Sequence, residues 1–377
     1  MFVSVVMPCL NEHETLASCI RKAKEALQRL DIEGEIIVAD NGSTDGSQKI
    51  ARSHGARLVE EPQRGYGNAY RAGIAQARGD YIIIGDSDDS YDFSDIGRFY
   101  EKLRDGYDLV MGTRLKGEIE KGAMPWLHHY LGNPVLTGIL NIFFRSGISD
   151  AHCGMRAFRR AAYDKMELQT AGMEFASEMV IKASLLKLKI IEIPITLHRD
   201  GRSGAPHLRS FRDGWRHLRF MLLHSPSHLY MWPGFFLFCL GMMTMLLLLL
   251  EQFRVGGRLA DLHIMVFGSL LSILGFQTIT LGIYARIYAV TQNFIPQGQY
   301  LNKLFKIFNL ERGLALGALI FTLGFVLGIY IFVRWVQSHG GAFNELRFAI
   351  FASTLMIFGT QIIFSSFFLS MLGIERK

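Results

Sequence analysis

"GDYIIIGDSDDSYDF", residues 79–93, is the stretch whose reading decides the fold. An apolar run, Tyr81 to Ile84, passes through a glycine into three crowded carboxylates, Asp86, Asp88 and Asp89. A short apolar run that ends in a polar turn is the pattern of a strand buried on both faces. Three carboxylates that close repel one another, so something must offset them. A divalent cation would do so, and so would full solvation in an acidic turn.

The same unit recurs upstream. "FVSVVMP" (2–8) is rich in strand formers, and "EHETLASCIRKAKEALQRL" (12–30) has helical periodicity. "GEIIVAD" (34–40) reads as a second strand, followed by the polar turn "NGSTDGS" and a short helix. "ARLVEEP" (56–62) is a third strand, and "GYGNAYRAGIAQA" (65–77) is a helix opened by glycines. Strands alternating with helices predict an α/β domain with a parallel, doubly wound sheet covered on both faces. Ligands of such sheets bind at the carboxyl ends of the strands. Asn11 and Glu12, Asp40 and Asn41, and Asp86 to Asp89 all fall at those ends. Three polar clusters on one sheet edge make a site, where one acidic turn would not. No Walker motif is present and no G-x-G-x-x-G follows the first strand, which weakens the ordinary nucleotidase and dinucleotide readings.

The residues after about 228 differ in kind. Half of the chain is hydrophobic, and the excess lies in four runs at about 229–250, 263–285, 314–333 and 348–372. Each has about 20 residues or more, enough to cross a bilayer core as a helix. The N-terminus lacks the basic region of a signal peptide, so the first domain is expected in the cytoplasm. Arg286, Lys303, Lys306 and Arg312 lie between the second and third runs, against Arg254 and Arg258, and Arg334 and Arg347, in the outer loops, in keeping with the positive-inside rule. The four cysteines show no paired spacing and fit reduced thiols. A net charge of +6 points to anionic lipid at the bilayer surface and away from nucleic acid. "HLRSFRDGWRHLRFMLL" (207–223) carries Arg209, Arg212, Arg216 and Arg219 beside the stripe Leu208, Phe211, Trp215, Leu218 and Leu222, an interfacial amphipathic helix. "WLHHYLGNPVLTGILNIFF" (126–144) is either interfacial or buried core.

Asp86-Ser87-Asp88 is a candidate cation site. Two carboxylates flanking one residue can hold Mg2+ or Mn2+ and leave coordination positions open for phosphate oxygens. Asp40 could accept a hydrogen bond from a base or ribose, or serve as a turn residue, or both.

"PCLNE" (8–12), "VADNGSTDGS" (38–47), "RGYGNAYRAG" (64–73), "GDSDDSYDF" (85–93) and "DAHCGMRAF" (150–158) occur in order and spacing. As a set they resemble the family 2 glycosyltransferases of the GT-A fold, and most of all the polyprenyl-phosphate (dolichol-phosphate) hexose synthases. The resemblance covers about 1–215. It implies a GT-A, Rossmann-like nucleotide-sugar domain (1–206), to which the basic stripe and the apolar runs add a juxtamembrane amphipathic helix (207–228) and a transmembrane domain of four helices (229–377). It also implies that Pro8, Leu10, Asn11, Glu12, Asp40, Gly67, Asp86 and Ser87 bind the donor and that Asp86 and Asp88 hold the metal. Arg114 and Arg202 would face a phosphate. Asn41 stands where that family often has a second aspartate. The frequent Ser-Lys after the late Arg-Gly is "RSGAPH" here, so Arg202, Arg199 or Arg209 must supply its charge.

The implied reaction is inverting transfer of a hexose from UDP-glucose or GDP-mannose to a polyprenyl phosphate. The setting implied is a multi-pass protein of a prokaryotic plasma membrane, with homo-oligomerisation left open. Asp88, Asp150 and Glu178 are the acidic candidates for catalysis, Glu178 as base or orienter. A processive polysaccharide synthase is disfavoured, because its Q-x-x-R-W motif is missing: position 331, before Arg334-Trp335, is Ile. A non-catalytic carrier or scaffold of lipid-linked sugars is opposed by the intact Asp-x-Asp.

Overall fold

The computed structural model describes residues 2–202, 210–250, 254–255, 258–259, 262–291, 309–338 and 345–372. The chain divides into two compact units, Met1–Met221 and Leu222–Lys377.

The strands of the first unit are β1 (Val3–Cys9), β2 (Gly34–Asp40), β3 (Arg57–Glu60), β4 (Tyr81–Ile84), β5 (Leu109–Ile119), β6 (Arg156–Arg159) and β7 (Ile190–Leu197). They form one sheet in the order β3-β2-β1-β4-β6-β5-β7. β1 to β4 pair in parallel, with Cys9 opposite Asp40 and Val6 opposite Ile84, so their carboxyl ends share one edge. β6 runs antiparallel to both β4 and β5. The sheet is therefore mixed, which corrects the expectation of a parallel one. After β5 the chain makes a helical excursion and re-enters from the opposite end, and the four residues of β6 are too few to reveal their direction by pattern.

Helices α1 (Leu16–Arg29), α2 (Ser47–Ser53), α3 (Tyr66–Gln76), α4 (Ile96–Arg104), α5 (Asn133–Phe144), α6 (Arg160–Met166), α7 (Phe175–Leu185) and α8 (Ser210–Leu223) complete this unit. β1 is buried on both faces. Val3, Val5 and Met7 join one apolar cluster with Leu16 and Ile20 of α1 and Phe99 of α4. Val6 joins the other, with Tyr70 and Ile74 of α3, Leu140 of α5 and Met179 of α7. This two-sided burial is why the strands read as continuous apolar runs. In α1, Leu16, Cys19, Ile20, Ala23 and Leu27 are buried at helical spacing, one apolar stripe on the sheet.

The second unit holds α9 (Trp232–Leu250), α10 (Leu262–Thr291), α11 (Leu310–Gln337) and α12 (Leu346–Leu372). All four are long and apolar enough to cross a membrane, the first together with the π-helical turn Ser227–Met231. Each of the four expected runs falls on one of them. Lys303, Lys306 and the start of the basic stretch, including Leu208 and Arg209, lie outside the described residues.

Candidate active site

Each of the three crowded carboxylates has its own partner. Asp89 adopts a left-handed conformation (φ 61°) and its Oδ1 lies 2.8 Å from Nζ of Lys22 on α1. Asp86 Oδ1 accepts from the hydroxyls of Tyr66 and Tyr70 on α3, at 2.9 and 3.1 Å. Asp88 Oδ1 accepts from Ser90 N and Oγ, and its Oδ2 lies 3.4 Å from Nη2 of Arg202. Burial first, and the Asp88 charge second, push the Asp86 carboxyl up to about 6. Of the three, Asp89 and Asp88 lie beside a cation, Lys22 and Arg202, and Asp86 is bonded by two hydroxyls.

The β6 motif backs this turn. A Cβ on Gly154 would lie 2.4 Å from Asp86 Oδ2, so only glycine lets Asp86 sit where it does. Gly154 N donates to the Tyr91 hydroxyl at 2.9 Å. Arg156, 1% exposed, fans out to the carbonyls of Cys153, Ala151 and Ala176 and fixes the loop from within.

The β1 and β2 loops are cross-stitched. Pro8 and Leu10 are half-buried at the end of β1, and the Ser87 hydroxyl donates to Pro8 O. Asn11, also left-handed, accepts from Thr44 N at 2.8 Å. Glu12 is buried, which raises its carboxyl to about 7 against the pull of Arg202, whose Nη1 lies 3.0 Å away. Asp40 is 1% exposed and accepts from Gly42 N, Ser43 N and the Gln48 amide. It is a turn residue, and those three bonds hold it in place. Asn41 donates to the carbonyls of Glu61 and Gln63 and accepts from Gly65 N. That bonding pattern requires an amide, which accounts for asparagine where an aspartate was expected. Gly67 N donates to Ala171 O at 2.9 Å, and a Cβ on Gly67 would meet Thr170 O at 2.2 Å.

The remaining candidates are each held by partners of their own. Asp150, fully buried, grips Arg114 through Nε at 2.7 Å, Nη2 at 2.8 Å and the backbone amide at 3.1 Å. The Arg114 guanidinium holds its carboxyl below the usual range despite burial. Glu178 accepts from Gln169 N, Thr170 N and Thr170 Oγ1 and pairs with Lys182 at 2.9 Å. Those bonds and Lys182 lower its carboxyl although it is buried. These bonds hold the 169–172 loop, whose Thr170 and Ala171 carbonyls meet Gly67. Arg202 is expected at a phosphate and here bridges Glu12, Asp88 and Asp200. Tyr66, Tyr70 and Arg156 were not anticipated. The i, i+4 spacing of the two tyrosines, one face of a helix, was the available signal.

Among the described residues no group of three or more His, Cys, Asp or Glu side chains could hold a metal. Asp86 and Asp88 offer carboxylate oxygens only, a donor set that fits Mg2+ or Mn2+ with the remaining positions filled by phosphate and water.

The glycosyl transferase family 2 pattern matches residues 4–167, and that of the glycosyltransferase family 2 C-terminal transmembrane region matches residues 283–373. The low-salt glycan biosynthesis hexosyltransferase Agl6 of Haloferax volcanii is 40% identical over 372 residues, covering 98% of this chain and 89% of that protein. The dolichyl-phosphate hexose transferase of the same organism is 31% identical over 214 residues, 56% of this chain and 89% of that one. Among solved structures, glucosyl-3-phosphoglycerate synthase of Mycobacterium tuberculosis, in complex with Mn2+, uridine diphosphate and glucosyl-3-phosphoglycerate, aligns at 21% identity and a TM-score of 0.45, covering 59% of this chain and 77% of that one.

Proposed function

The chain belongs to glycosyltransferase family 2 and is a membrane-embedded glycosyltransferase; from that premise we propose that it moves one hexose from a nucleotide sugar to a polyprenyl phosphate, with inversion, at the cytoplasmic face of the membrane. UDP-glucose and GDP-mannose are the donors in view. The loops after β1, β2 and β4 would seat the nucleotide. Asp86 and Asp88 would hold Mg2+ or Mn2+, which when bound offsets the charge that gathers on the leaving diphosphate. Arg114, locked by Asp150, would add a fixed positive charge beside it. The acceptor phosphate oxygen would attack the anomeric carbon in line with the departing diphosphate, so the residues' task is positioning.

One observation carries the choice of acceptor. Asp150 and Glu178, two of the acidic candidates for catalysis, are buried with their oxygens already engaged. A hydroxyl acceptor needs a base to remove its proton. A phosphate acceptor is already ionised and needs none. The dolichyl-phosphate relative supports the same choice by its name.

The test presents the full-length protein with radiolabelled UDP-glucose or GDP-mannose and, in parallel, polyprenyl phosphate or the matching polyprenol. Label is expected in the lipid phosphate alone. Equal labelling of the polyprenol would overturn the reading.

A further inference from the structure

Arg202 does not lie open to receive a phosphate. Its side chain is 13% exposed, and the guanidinium faces three carboxylates from three segments. Asp200, two residues before it, takes Nε with both oxygens, at 2.8 and 2.9 Å, and Nη2 as well. Glu12 from the β1 loop takes Nη1 at 3.0 Å. Asp88 from the β4 loop takes Nη2 at 3.4 Å. The backbone follows the same turn, since Gly201 N donates to Asp88 O and His198 N to Ser90 O. The side chain is therefore carried to the candidate cation site by the fold.

The three contacts are graded. Those to Asp200 and Glu12 are close to the range of charge-assisted hydrogen bonds, and 3.4 Å to Asp88 lies beyond it. Asp88 Oδ1 is fixed by Ser90, so Oδ2 is the oxygen held least. A divalent cation would approach that oxygen to about 2.0–2.6 Å with twice the charge. Two cations sharing one carboxylate oxygen repel, so both cannot be held there at full strength.

We propose that Arg202 is a stand-in cation that competes with the divalent metal for Asp88 Oδ2 and, through Glu12, masks the negative charge that would draw the metal in. The metal then binds poorly alone and well when a nucleoside diphosphate brings further oxygen ligands, which ties metal entry to donor entry. This rests on the reading of Asp86 and Asp88 as the metal ligands. It makes Arg202 a positioning residue with an unusual signature, since removing its charge strengthens a binding event that loss of fold would weaken.

The test is titration of the full-length protein in detergent with Mn2+ alone, free Mn2+ being followed by electron paramagnetic resonance. Wild type, Arg202→Gln and Asp88→Asn are compared. The Arg202→Gln variant is expected to bind Mn2+ at least about threefold more tightly than wild type, because the competing bridge is gone. Asp88→Asn is expected to lose the site. Unchanged or weaker binding by Arg202→Gln, or none at millimolar Mn2+, overturns the stand-in role while loss in Asp88→Asn upholds the metal site. Undiminished binding by Asp88→Asn overturns the metal site itself, and the proposal with it.

Discussion

Asn41 uses both amide hydrogens on carbonyls and its oxygen on an amide, joining the end of β2 to the loop that opens α3. An aspartate there would turn two donors into acceptors facing Glu61 O and Gln63 O. The two hydrogen bonds lost are worth about 0.5–1.5 kcal/mol each. Asn41→Asp is therefore expected to lower the melting temperature of the catalytic unit by several degrees, and an unchanged melting curve would contradict this bracing role. The position shows what one sequence reveals at this scale. Asp86 and Asp88 were legible because a strand ends in front of them. The commitments of Asp40 and Asn41 were not, since Gln48, Glu61 and Gly65 reach them only in the folded chain. The same holds for Asp150 and Glu178, whose acidity suggested chemistry and whose partners, Arg114 and the 169–172 loop, reach them only in the folded chain.

At the scale of elements, the strands and helices before residue 86 were legible almost to their ends, because burial on both faces writes itself as continuous apolar runs. The direction of β6 was not, and α8 was legible on one face only. Phe211 and Trp215 are exposed as an interfacial stripe requires, at 85% and 57%. The opposite face buries Asp213, His217 and Met221 at i, i+4 and i+8. In α5, Thr137, Leu140 and Phe144 are core, while Val135 and Ile142 are exposed. His217 Nδ1 meets Ser177 Oγ at 2.8 Å and its ring stands edge-on to that of His152, 4.6 Å away. Burial lowers His217 to about 4, against the pull of Glu174 and Asp213, and holds His152 well below its ordinary value. With folded values below the unfolded 6.5, this contribution to stability is present above pH 6.5 and is lost as pH falls toward 4. Between pH 7.5 and 5.5 the His217 share of that loss is about 1 kcal/mol. His217→Asn is expected to flatten this part of the pH dependence of the melting temperature, and an equally steep fall in the variant would contradict it.

For the whole molecule, two physical regimes share one chain. The catalytic unit folds by covering a sheet on both faces. The membrane unit was legible by length and apolarity alone, and its four helices fall where the four runs predicted. Small residues let those helices approach closely, as at the α9–α10 crossing, where Gly241 faces Gly268 O and Ser272 N, and the α11–α12 crossing, where Gly359 faces Gly317 O. The site draws on residues far apart in the chain, from Glu12 to Arg202, and what joins them is the cluster of carboxylates around Asp86 and Asp88. The central claim is that those two carboxylates hold the cation that lets a nucleoside diphosphate leave a hexose on a lipid phosphate. Its most direct measurement is the transfer of radiolabelled hexose to polyprenyl phosphate by wild type and Asp88→Ala, with Mg2+ or Mn2+ and with EDTA. A lipid product labile to mild acid, formed by wild type with metal and reduced at least about a hundredfold by EDTA or by the substitution, is the result expected. Transfer that persists in EDTA, or in Asp88→Ala at the wild-type rate, would contradict it.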